Sequence, residues 1–106
     1  MTPHRFLPLH LIQRYVALAR ARGVSTVARS PRGFLTAYRE VNGHAARLSD
    51  AWRQRREAFI ARHLAQLEQR GEPILGADGK PTRRHLALIM WAFSPKPSLL
   101  KTAFFL

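Results

Sequence analysis

Lys80, Arg83, Arg84 and His85 place three cations and a histidine within six residues, at the head of an unbroken apolar run from Leu86 to Phe93. Thr82 is positioned to cap a helix there, its hydroxyl oxygen accepting from an amide of the first turn. A helix N-terminus already presents roughly half a positive charge. Arg83 and Arg84 therefore work against the helix unless an anion joins them. Free amides, two guanidinium forks and Lys80 together suit a phosphate. The plainer alternative is a pair of solvated arginines, tolerated at about 0.3–1 kcal/mol each.

Arg53, Arg55, Arg56 and Arg62 form a second basic set. On a helix Arg55 and Arg62 lie about 20° apart and flank an apolar stripe. Arg56 falls inside that stripe, between Trp52 and Ile60. Such an arginine is expected to pair with an acid such as Glu40, or to lay its stem along Trp52. The sharper alternative is an exposed groove where apolar and basic groups meet a partner. Trp52 beside these arginines has the chemistry to stack on a base, although a tryptophan in a helix stripe more often packs in a core.

Val16 to Ser30, with Gly23-Val24-Ser25 followed by Thr26-Val27-Ala28-Arg29, resembles the turn of repressor-type helix-turn-helix domains over about fifteen residues. The pattern departs from that family at Arg29, where an apolar residue belongs. Ser30-Pro31 also breaks the segment that would have to fill a major groove.

Catalytic chemistry finds little support. None of the five histidines is four residues from another, and the absence of cysteine removes thiolate zinc sites, disulfides and cysteine nucleophiles. Gly43 separates Glu40 from His44, and Glu57 and Glu68 are expected to face solvent on a helix. There is no phosphate-binding glycine loop and no nucleophile elbow. His63 and His85 read as polar members of packed faces. The expectation is a non-enzymatic protein with no cofactor and no metal.

The elements that must position these groups are helical. Pro3 and Pro8 make 1–8 an extended arm. Helix one is expected over 9–22, with Leu11, Tyr15 and Leu18 in one apolar row and Gly23 as its stop. Ser30 as cap and Pro31 in the first turn start helix two, 31–41, which Asn42-Gly43 ends. Ser49 caps helix three, 50–70, whose stripe is Trp52, Phe59, Ile60, Leu64 and Leu67, with His63 inside it. The loop 71–81 holds three glycines and two prolines, with a small hairpin expected through Ala77-Asp78-Gly79-Lys80. Helix four, 83–93, is apolar all round and is therefore the central, buried one. In the tail from Pro95, Leu99, Leu100, Phe104, Phe105 and Leu106 must dock on the bundle or on a protein partner.

At 106 residues the chain is one domain, an all-α bundle of four main helices. Its formal charge of +12, with arginine supplying 15 of the 18 cations, draws it to polyanions. A GC-rich genome is the bland source of such a bias. No apolar run is long enough to span a bilayer, and no secretory signal pattern is present. The leading expectation is a domain that binds DNA or RNA through its phosphates, as an accessory subunit in cytoplasm or nucleoid. The rival is a small adaptor or inhibitor that binds an acidic protein surface. A third, rest on anionic membrane, conflicts with a buried helix four. Seven arginines and no acid in residues 1–39 also keep a mitochondrial address open.

Overall fold

A computed structural model of the chain describes residues 3–100. They form α1 (Leu9–Ala21), α2 (Phe34–Glu40), a single 3-10 turn (Ala45–Arg47), α3 (Asp50–Arg70) and α4 (Arg83–Met90). There are no strands among the described residues. One isolated antiparallel bridge, Leu75 to Pro81, closes the expected hairpin in miniature, with the Gly76 amide donating to the Lys80 carbonyl.

α4 is the central helix, packed on both α1 and α3. Leu86, Ile89 and Met90 join Leu11, Ile12, Tyr15 and Ala19 of α1 and Phe34, Leu35 and Tyr38 of α2 in one cluster. Leu88 sits about 200° round the helix from Leu86 and packs instead with Ile60 and Leu67 of α3 and with Phe93. This is why the helix had to be apolar on every side. At 13.1 Å the radius of gyration matches the ~13 Å of a compact hundred-residue domain.

All four helices end in the same motif. A left-handed residue follows within two positions of each end: Gly23 (φ 63°), Asn42 (54°), Gly71 (60°) and Ala92 (62°). The next amide then reaches back into the last turn: Val24 to Ala19, Gly43 to Tyr38, Glu72 to Leu67 and Phe93 to Leu88. Glycine and asparagine tolerate that conformation, whereas an alanine there costs about 1–2 kcal/mol.

Three expectations are corrected. α4 stops at Met90, not at residue 93, because Ala92 turns its carbonyl to meet the Leu7 amide at 2.8 Å and the Arg56 guanidinium at 2.9 Å. α2 begins at Phe34, not at residue 31. The Ser30 hydroxyl donates to the Val27 carbonyl instead of capping, and residues 26–33 fold into consecutive turns. At Gly33 those turns pass so close that a Cβ would lie 2.1 Å from the Val27 carbonyl oxygen. Thr82 does not cap α4 with its side chain; its hydroxyl donates to the Pro73 carbonyl. Ser49 does cap α3, accepting from the Trp52 amide at 3.2 Å.

The tail begins to dock on the chain's own bundle. Leu100 is fully buried, and its carbonyl accepts from the Tyr15 hydroxyl at 2.8 Å. Phe104, Phe105 and Leu106 lie outside the described residues.

Candidate nucleic-acid interface

Arg56 is buried completely, and all five of its N–H groups are used. Nε donates to the Trp91 carbonyl at 2.8 Å, Nη1 to the His4 carbonyl and to Glu57 Oε2 at 2.8 Å each, and Nη2 to the Arg5 and Ala92 carbonyls at 2.9 Å each. The guanidinium lies 3.6 Å from the centre of the Phe6 ring. Burial pushes its pKa down to about 10, against the opposing pull of the Glu57 carboxylate, so it stays charged at neutral pH. Its acid is the adjacent Glu57 and not Glu40. Glu57 in turn accepts from the His4 amide at 2.9 Å and meets His4 Nδ1 at 2.7 Å. Arg56 thus clamps the extended arm to the end of α4, where its charge also suits the negative pole of that helix. No donor is left over for a phosphate.

The other arginines of α3 are outside. Arg53 pairs with Asp50 one turn earlier and stays exposed. Arg55 lies 5.3 Å from the centre of the half-buried Trp52 ring. Arg62 is exposed, with no acidic partner among the described residues. Arg20, Arg32, Arg39 and Arg47 share that condition, and four of the six acids, Asp50, Glu57, Glu72 and Asp78, are paired elsewhere.

The start of α4 divides its cations. Arg84 has only 16% of its side chain exposed and is held on three sides. Its Nε meets Glu72, and its Nη1 meets Gln66 and, at 2.9 Å, His63 Nδ1. Arg83 is exposed and spends one nitrogen on the Arg22 carbonyl. Lys80 is exposed in the loop, its amide bonded to Asp78 Oδ1 at 3.0 Å. Arg22 ties this loop to the end of α1 through the Pro81 carbonyl and Asp78. Between these parts runs an open-sided groove of about 380 Å³, lined by Gly23, Val24, Ser25, His63, Glu72, Arg83, Arg84 and Ala87. So Arg83 and Arg84 both line the groove at the head of α4, with Lys80 in the loop before it, but Arg84 is engaged with Glu72.

Two features escape a reading of the sequence. The first is a column of rings: Phe34 to Trp91 (5.0 Å, 17° between planes), Trp91 to Phe59 (4.6 Å, 16°) and Phe59 to His63 (4.1 Å, 31°). It runs from the fully buried Phe34 to a histidine on the groove wall. Burial, and then the Arg84 and Arg62 charges, push the His63 pKa below its usual value. Arg84 can only donate to His63 Nδ1, which leaves the ring neutral with its proton on Nε2. The second is the pairing made by His85, which is wholly buried as a polar member of a packed face, as expected. Its Nδ1 donates to the Ile74 carbonyl at 2.7 Å, so Nε2 accepts from the Ser94 hydroxyl at 2.7 Å. This is the hydrogen-bond order of a serine–histidine pair, but Ser94 is only 3% exposed. A substrate does not reach that hydroxyl, and the pair pins the chain after α4 to the loop before it.

Among the described residues no three histidine, aspartate or glutamate side chains group as metal ligands. No helix among them is long and apolar enough to cross a membrane. The chain matches no protein-family model, no curated protein and no solved structure.

Proposed function

We propose that this chain is a non-enzymatic nucleic-acid-binding domain. It would hold the phosphate backbone through the exposed Arg53, Arg55 and Arg62 of α3 and through Arg83 and Lys80 beside the head of α4. A role as an accessory subunit of a ribonucleoprotein or DNA complex, in cytoplasm or nucleoid, fits this charge. The observation that carries the reading is a net charge of +12 whose excess sits on exposed arginines without acidic partners. A surplus of this kind repels itself and is relieved by a polyanion. Arg56, buried and saturated, drops out of the interface, and Arg84 contributes by orienting its neighbours.

Fluorescence anisotropy with single- and double-stranded DNA and RNA, across a salt series, tests it. Affinity should fall linearly with log salt. Each phosphate contact should contribute about 0.9 to the slope on duplex, or about 0.7 on a single strand. Replacing Arg55 and Arg62 with glutamine should flatten the slope by about two such contacts. No binding to any nucleic acid at low salt, together with capture of an acidic protein, would favour the adaptor reading instead.

A further inference from the structure

From the groove at the head of α4 we infer a subsite for one unpaired nucleotide, its base stacked on His63 and its phosphate held by Arg83. The inference rests on the nucleic-acid reading above and sharpens it from a polyanion to a strand with unpaired bases.

Three observations converge. The groove measures about 380 Å³, within the ~300–1,000 Å³ range of small-ligand sites. It is open on one side, as a subsite on a continuing strand must be. His63 is the outermost ring of a column that begins at the buried Phe34. Phe59 supports one face of the imidazole, and Arg84 fixes its orientation through Nδ1. A base laid on the ring from the groove would continue that column, using a neutral and already immobilised platform. Aromatic platforms of this kind bind bases with little sequence preference.

Charge completes the match. Arg83 spends one of its five N–H groups on the Arg22 carbonyl, so four remain for phosphate oxygens. Glu72 also lines the groove, but Arg84 and Arg70 pair with it. With Arg83, Arg84 and Glu72 on its walls and His63 neutral, the groove keeps a net positive charge. A continuous duplex does not offer an unstacked base, so the subsite selects single strands, loops or bulges.

The test uses the full chain and a short fluorescein-labelled single strand. It is compared with the same strand carrying abasic sites and with the same sequence as duplex, at one fixed salt concentration. His63→Asn keeps an oxygen to accept from Arg84 but removes the ring. His63→Phe keeps the ring and loses the acceptor. His63→Asn should weaken single-strand binding roughly 5- to 140-fold, the loss of one stacked base. Its salt slope and its duplex affinity should be unchanged. His63→Phe should bind the single strand close to the parent. Arg83→Gln should lower the single-strand salt slope by about 0.7. In the parent, ring-nitrogen NMR signals of His63 should shift on titration with adenosine monophosphate and not with inorganic phosphate alone. An abasic strand that binds as tightly as the normal one, or a His63→Asn protein that binds like the parent, overturns the subsite and leaves phosphate binding standing. A parent that binds no nucleic acid at all overturns both.

Discussion

Replacing Arg56 with methionine should unfold a large part of this domain's stability margin. The stem is roughly preserved, so the loss is that of the guanidinium. Five hydrogen bonds vanish. Two acceptors keep other donors: Ala92 retains the Leu7 amide, and Glu57 retains His4. The carbonyls of His4, Arg5 and Trp91 lose the donor that held them. A fully buried acceptor left unpaired costs about 1–3 kcal/mol, and these three are only partly buried. The arm can lift and admit water, which favours the lower end, so the expected loss is about 3–5 kcal/mol, as for other broken buried pairs. Domains of this size have about 5–15 kcal/mol in all. The melting temperature followed by circular dichroism should fall by at least ~12 °C, at 4–8 °C per kcal/mol. Arg56→Lys should recover little, because an ammonium cannot reach five acceptors from one fork. Arg55→Ala and Arg62→Ala, as exposed controls, should stay within about 0.5 kcal/mol of the parent. An Arg56→Met protein that melts with those controls, yet loses nucleic-acid affinity, would show that the guanidinium works outside the fold and would refute the clamp.

Three further outcomes follow from the same contacts. Burial holds His85 below its usual pKa, only partly offset by its bond to the Ile74 carbonyl, and burial and then neighbouring charges do the same for His63. The unfolded chain therefore binds more protons near pH 6.5. Stability should be level above about pH 7.5 and should decline as pH falls through 6.5 towards the lowered folded values; urea midpoints across pH will show it, and a His85→Gln protein should lose part of the slope. Arg83→Ala should melt with the parent, within about 0.5 kcal/mol, whereas Arg84→Ala should melt several degrees lower, because it strips partners from Glu72, His63 and Gln66; equal melting of the two would contradict the division of labour seen at the head of α4. Leu100→Ala should cost about 2–5 kcal/mol in guanidinium unfolding, because the side chain is fully buried, and an unchanged midpoint would place the tail elsewhere.

Much of the fold was legible because local signals agreed with the core. Leu9 and Asp50 start their helices where the apolar period begins, and Gly23 and Gly71 stop them. The unbroken run 86–93 announced the buried helix. What stayed hidden depends on segments distant in sequence. The start of α2 is decided at Gly33 by a carbonyl of the preceding turns. The end of α4 is decided by the Leu7 amide and by Arg56, which both need the Ala92 carbonyl. The hydroxyl of Thr82 looked like a cap because nothing local says that the Pro73 carbonyl lies nearer. Arg56 was half legible: a cation between Trp52 and Ile60 in an apolar stripe must be paired or exposed, and the helical period cannot say which. The groove was not legible at all, since it joins residues 23–25, 63, 72 and 83–87.

The arginines of this chain are one residue type used in opposite ways, and their surroundings tell them apart. Arg56 faces carbonyls of two separate stretches, the arm at His4 and Arg5 and the chain after α4 at Trp91 and Ala92, so its fork satisfies backbone that a small core would otherwise bury unpaired. Arg84 faces one carboxylate, one amide and one imidazole, and sets the positions of all three. Arg55, Arg62 and Arg83 face water, with donors to spare. Compositional drift towards arginine would explain surface positions like Arg39 or Arg47. It does not explain a fully buried guanidinium with every donor matched, because lysine in that place would leave carbonyls unsatisfied. Net charge therefore overstates the proposed binding surface: a count of cations includes Arg56 and Arg84, whose charge is already committed inside the fold. The groups that remain for a phosphate backbone are fewer, and they are the ones whose removal should change salt dependence without changing stability.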